Sequence, residues 1–227
     1  MNLAALRAEL EADRAWREEE IRAFQNRGST IEDEGELNRY RRALVLLLYA
    51  HYEGFCKFAF TLYASAINSS GISCGEATYA IAAASLNDMF RNLRNPEKKC
   101  ALFRRELPDD AKLHRFARER EFIEQTSEVE KRPVKIPDDV VDTESNLTPV
   151  VLKKNLYRLG LPHDQFEAHD GEINRLLNLR KGVSHGDLKE GVEETIYMQL
   201  RAATFAIMSG LGIGIMKALS DKAYARA

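Results

Sequence analysis

Leu44–Ala66 reads L-V-L-L-L-Y-A-H-Y-E-G-F-C-K-F-A-F-T-L-Y-A-S-A. At about 100° per residue these apolar side chains cover nearly the whole circumference of a helix, with His51, Glu53 and Lys57 set among them. A helix that is apolar all round packs on several sides, so this one sits at the centre of a helical protein. It is predicted to run from Leu37 to Asn68 and to close at Ser69-Ser70-Gly71.

The flanking sequence supplies partners for it. Leu3, Leu6, Leu10, Trp16, Ile21 and Phe24 recur at helical spacing and predict a first helix over Leu3–Asn26. A third helix is expected over Gly75–Leu93, stopped by Asn95-Pro96. Residues 96–148 are charged and irregular, which marks an insertion or mobile element. It contains a basic helix candidate over Asp109–Gln125. The stretch R-P-V-K-I-P-D-D-V-V-D could hold one or two short strands, a short β-hairpin. Thr148-Pro149 then combines a good N-cap with a residue suited to the first helical position, so a helix should run to Arg158 and end at Gly160. Asp170 reads as the N-cap of a helix over Glu172–Ser184, and a last helix covers Val192–Ala225. The expected fold is all-α, a single helical domain over residues 1–227.

Composition narrows the setting. The formal net charge of -2 is unevenly spread: residues 91–120 carry ten Lys/Arg against five Asp/Glu. Such a stripe fits either a phosphate backbone or a solvated surface. Cys56, Cys74 and Cys100 make no C-x-x-C pair or zinc spacing, and read as free thiols in a reducing compartment. The acidic N-terminus has no apolar signal core. The best membrane candidate, the uncharged run Ala202–Met216, falls short of the roughly 20 residues that span a bilayer. A cytoplasmic protein without membrane contact is expected. His163-Asp164 and His169-Asp170 lack the further ligands a metal site needs, and Gly210, Gly212 and Gly214 lack the strand a dinucleotide fold needs. No metal and no cofactor is expected. Close helix packing is the natural use of those glycines.

One residue breaks the pattern. In the helix after Asp170 the apolar stripe is Ile173, Leu176, Leu177, position 180 and Val183, and position 180 holds Arg180. An unpaired guanidinium directed into a core-facing groove costs several kcal/mol, so it requires an anion or a carboxylate. One reading is a structural Arg180–Glu53 ion pair beside a satisfied core His51. The other adds His185, five residues on and just before Gly186-Asp187 ends the helix, as an acid/base partner for a bound anion.

The string L-L-N-L-R-K-G-V-S-H-G-D, Leu176–Asp187, resembles the Arg-x4-6-His motif of the HEPN superfamily, which typically reads R-N-x-I-A-H-G. L-L-Y-A-H-Y-E-G-F-C-K (Leu47–Lys57), D-T-E-S-N-L-T (Asp142–Thr148) and the N-terminal D-R-A-W-R-E-E-E are similar to segments of a bacterial branch, in the expected order. Lys181 stands where the family commonly has Asn, and Ser184 where it has Ala.

The resemblance implies a HEPN-type helical bundle that forms a homodimer and cleaves RNA without metal, as toxins and anti-phage defence effectors do. Arg180 would bind the scissile phosphate, His185 would move protons and Glu53 would orient them. Attack by the ribose 2′-OH would leave a cyclic phosphate. Lys181, Ser184, His51, Arg115 and Arg118 are candidate RNA contacts, and Arg104-Arg105 extends the basic stripe. A cognate antitoxin or defence-system partner would accompany a toxin. Two alternatives stay open: a non-catalytic HEPN module that binds RNA or protein, and a structural helical interaction protein.

Overall fold

A computed structural model describes residues 1–102 and 110–226. Among these are eight α-helices: α1 (Leu3–Gly28), α2 (Glu34–Asn68), α3 (Tyr79–Ser85), α4 (Asn87–Arg94), α5 (Ala111–Thr126), α6 (Pro149–Arg158), α7 (Asp170–His185) and α8 (Glu194–Ser220). There is no β-strand among the described residues, only isolated bridges at Ser73–Pro133 and Ala77–Ala225.

As expected from its sequence, α2 is the central element, and α1, α7 and α8 pack around it. Val45, Leu48, Tyr52, Phe55, Cys56 and Ala59 are fully buried along it. Both α2 and α8 are long and apolar enough to cross a membrane by length and composition, and here they pack on each other. Thr148 caps α6 as expected, and three other helix starts also carry side-chain caps. The Asn2, Asp33, Asp110 and Thr148 side chains accept N–H groups of Ala5, Glu36, Leu113 and Val151. Gly210 lets the Phe166 ring lie close against α8, where a Cβ would fall 2.9 Å from it. The three cysteines are free, and Cys56 and Cys74 are buried.

Three local expectations are corrected. The third helix begins late and is split at Leu86. Its expected start is held against residues 130–132 instead: Cys74 N–H donates to Arg132 O (2.7 Å) and Gly75 N–H to Glu130 O (2.9 Å). The short β-hairpin does not form. Val134 N–H reaches Ile72 O (2.9 Å), but Pro133 and Pro137 lack the N–H that would extend a ladder, and Asp138–Val140 coils into a 3-10 turn. Asp170 is the first residue of α7 and not its cap, because its carboxylate is taken by Lys153 at 3.0 Å. Within the expected insertion, Val134, Ile136, Val140, Val141 and Leu147 all join the core.

The chain leaving α7 is pinned to the start of α2. Val192 N–H donates to Asn38 O (2.9 Å), and the Arg42 guanidinium donates to the Leu188 and Lys189 carbonyls. Gly191 makes this approach feasible. A Cβ there would lie 2.6 Å from the Asn38 carbonyl carbon and 2.9 Å from its Cα, with no flexible atom to yield. Gly191→Ala is therefore expected to destabilise the fold by about 1–3 kcal/mol, read as a lowered urea midpoint at unchanged slope. An unshifted midpoint would show that this return is not docked.

Candidate functional site

Ile173, Leu176 and Leu177 bury one face of α7 against α2, and this packing carries Arg180 to the edge of the same interface. Arg180 is half-buried. Its guanidinium lies over the Tyr49 ring, 5.0 Å from the centroid, and one Nη donates to Asn146 Oδ1 at 3.1 Å. Among the described residues no carboxylate stands within 4.0 Å of it, so the Arg180–Glu53 ion pair is not made. Glu53 lies one turn after Tyr49 and acts on the Tyr49 hydroxyl. That hydroxyl is pushed up to about 12, chiefly by burial and further by the Glu53 carboxylate, while the Leu147 N–H and Arg180 oppose the rise. The Leu147 N–H donates to Tyr49 Oη at 2.9 Å.

The structure thus brings Arg180 and Glu53 together through Tyr49. Neither Tyr49 nor Asn146 stood out as a site residue in the sequence. The signals available were the i, i+4 spacing of Tyr49 and Glu53 and the Asp142–Thr148 stretch.

His185 is exposed in the last turn of α7, which Gly186 terminates in left-handed conformation, φ 77°. Among the described residues its imidazole makes no hydrogen bond or ion pair. Lys181 and Ser184 are exposed on the same helix. Arg180 and His185 are separated by about 7.5 Å along the axis and about 140° around it, so one helix presents them in different directions.

His51 is placed elsewhere. It lies about 200° from Tyr49 around α2, is 4% exposed, and faces α1. Its Nε2 is 2.7 Å from a Glu20 oxygen, and Trp16 meets its ring edge-on at 5.2 Å. Beside it Arg17 pairs with Asp13 at 2.7 Å and occupies the space over Gly54. The D-R-A-W-R-E-E-E segment and His51 thus form a helix-to-helix clamp.

Burial lowers the His51 pKa from 6.5 and outweighs Glu20, which raises it. The unfolded chain therefore takes up this proton first as the pH falls. Stability is complete above pH 6.5 and is lost as the pH drops toward the lowered folded value. The melting temperature should decline between about pH 6.5 and 5, above the carboxylate range, and His51→Gln should flatten that decline. A wild-type melting temperature that holds steady there would contradict the neutral, buried imidazole.

The basic stripe is largely committed. Arg118 donates to the Leu93 and Lys98 carbonyls at 3.2 and 3.0 Å, Arg115 faces Glu119 at 3.4 Å, and Arg120 pairs with Glu124 at 2.8 Å. Arg104 and Arg105 lie outside the described residues.

Residues 6–224, nearly the whole chain, match the MAE_28990-like HEPN family. The chain belongs to the HEPN superfamily. No curated protein and no solved structure matches it. Its all-α bundle is the HEPN architecture, and membership points to a nuclease or RNA-related module. The Arg180–His185 segment lies within the matched residues.

Proposed function

We propose that this HEPN domain is a metal-independent endoribonuclease of the toxin or anti-phage defence type. The observation that carries the reading is the half-buried Arg180 guanidinium, held by an aromatic ring and a neutral amide with no carboxylate in ion-pair range. A cation seated this way keeps its charge for an incoming anion, and a planar fork of donors suits a phosphate.

In the reaction the ribose 2′-oxygen bonds to phosphorus as the bond to the 5′-oxygen breaks. One proton leaves the 2′-OH and one reaches the departing 5′-oxygen. Arg180 offsets the charge growing on the non-bridging oxygens, and His185 transfers a proton. Glu53 acts on the site through Tyr49. Lys181 and Ser184, exposed beside the motif, contact the backbone of the RNA. Because Arg180 and His185 diverge around α7, a second copy of the chain supplies the opposing motif, making the working unit a homodimer. RNA, which carries the 2′-OH, is the substrate. The protein acts in the cytoplasm, where a cognate antitoxin or defence partner restrains it.

The test is cleavage of single-stranded and transfer RNA in EDTA by wild type and His185→Ala. Wild type is expected to cut, leaving cyclic phosphate ends, and the variant is not. Salt-sensitive binding without cutting by wild type would make the domain a binding module instead.

A further inference from the structure

The turn that carries Asn146 is held in a conformation that side chains rarely adopt. Glu144 and Ser145 are consecutive non-glycine residues with left-handed backbone, φ 49° and 62°. Several contacts impose this shape. Asp142 Oδ1 accepts the Glu144 N–H at 2.8 Å, and Lys154 reaches the Glu144 carboxylate at 3.0 Å. The fully buried Asn155 amide grips the Asp142 backbone twice, accepting its N–H at 3.1 Å and donating to its carbonyl at 2.7 Å. Asn146 N–H donates to Thr143 O at 2.9 Å, and Tyr49 Oη holds the next N–H, that of Leu147.

These ties fix the backbone, and the Asn146 side chain carries the turn's contact to α7. Tyr49 serves both partners, with its hydroxyl on the turn and its ring under Arg180. The amide oxygen matters chemically. A guanidinium only donates, so Oδ1 must face it, and a neutral acceptor satisfies one donor without cancelling the charge. The remaining donors stay available for a phosphate.

We infer that Asn146 is a positioning residue: the strained 142–148 turn, tied down by Tyr49 and Asn155, uses it to aim the Arg180 guanidinium at the scissile phosphate. This rests on the nuclease reading above. Strain that surrounding contacts over-determine is a device for holding a site in one orientation.

The experiment compares wild type, Asn146→Ala and Asn146→Asp in two measurements: cleavage of a labelled oligoribonucleotide in EDTA, resolved into kcat and KM, and the Nε–Hε NMR signal of Arg180. All three should melt within a few degrees of one another, since the contact lies at the edge of the core. Asn146→Ala is expected to lower kcat about 10- to 100-fold with little change in KM, as a misaimed group does. Asn146→Asp folds equally well but pairs with Arg180, so its KM should rise about 10-fold or more. A kcat for Asn146→Ala within about twofold of wild type would overturn the assignment. Wild type that cuts no RNA would sink the nuclease reading alone. The aiming role would then be read from the Arg180 signal: sharp in wild type and broadened in Asn146→Ala supports it, and identical signals overturn it.

Discussion

Arg180→Ala is expected to reduce EDTA-resistant RNA cleavage by about 10³-fold or more, the loss that follows when an arginine stabilising a phosphoryl transition state is removed. Arg180→Lys should recover only part of it, because an ammonium keeps the charge but not the planar fork. The expected effect on folding is small. No carboxylate is stranded within 4.0 Å by the truncation. What is lost is the ring contact with Tyr49 and one donor to Asn146 Oδ1, about 1 kcal/mol. Activity and stability should therefore separate: initial rates collapse while the urea midpoint barely moves. A structural ion pair would behave in the opposite way, because breaking one by removing a single partner destabilises strongly. Cleavage by Arg180→Ala at the wild-type rate would remove this residue from the chemistry.

The largest stability effect is expected at Phe55. Its ring is 0% exposed in the middle of α2, and its Cζ lies 4.0 Å from where a Cβ on Gly212 of α8 would stand. Phe55→Ala removes the ring and leaves a cavity between the two longest helices that rigid neighbours cannot fill. The expected loss is about 3–5 kcal/mol, a large part of the roughly 5–15 kcal/mol that holds a typical domain together. Ile213, next to Gly212 on α8 but 66% exposed, is the control. Ile213→Ala should shift stability by less than about 0.5 kcal/mol. Equal midpoints for the two variants in urea would contradict the packing of α2 on α8.

Much of the architecture was legible before any coordinates. The uninterrupted apolar circumference of Leu44–Ala66 marks a central helix because only burial on several sides can dry it, and α2 holds that place. Thr148-Pro149 announces the start of α6 through local chemistry alone, and the Thr148 side chain caps it. Helix starts of this kind depend on residues a few positions apart, so they survive in the linear sequence. The Arg180 anomaly is of the same sort: a charge on an apolar stripe is visible from helical spacing.

Tertiary structure alone decided what that charge meets. Glu53 and His51 are two residues apart, and the sequence offered Glu53 as an ion-pair partner of Arg180 beside a satisfied core His51. On a helix that spacing sends them to different sides, one toward Tyr49 and the other to Glu20 and Trp16 of α1. Asn146 is 34 residues from Arg180 in sequence, and its approach depends on a turn whose left-handed backbone nothing local prefers. The sequence by itself determined a helical bundle, its central helix and the Arg–His motif, because those rest on periodicity and short-range spacing. Which neutral partners cradle the guanidinium followed only from long-range packing, since contacts between distant segments leave no pattern along the chain.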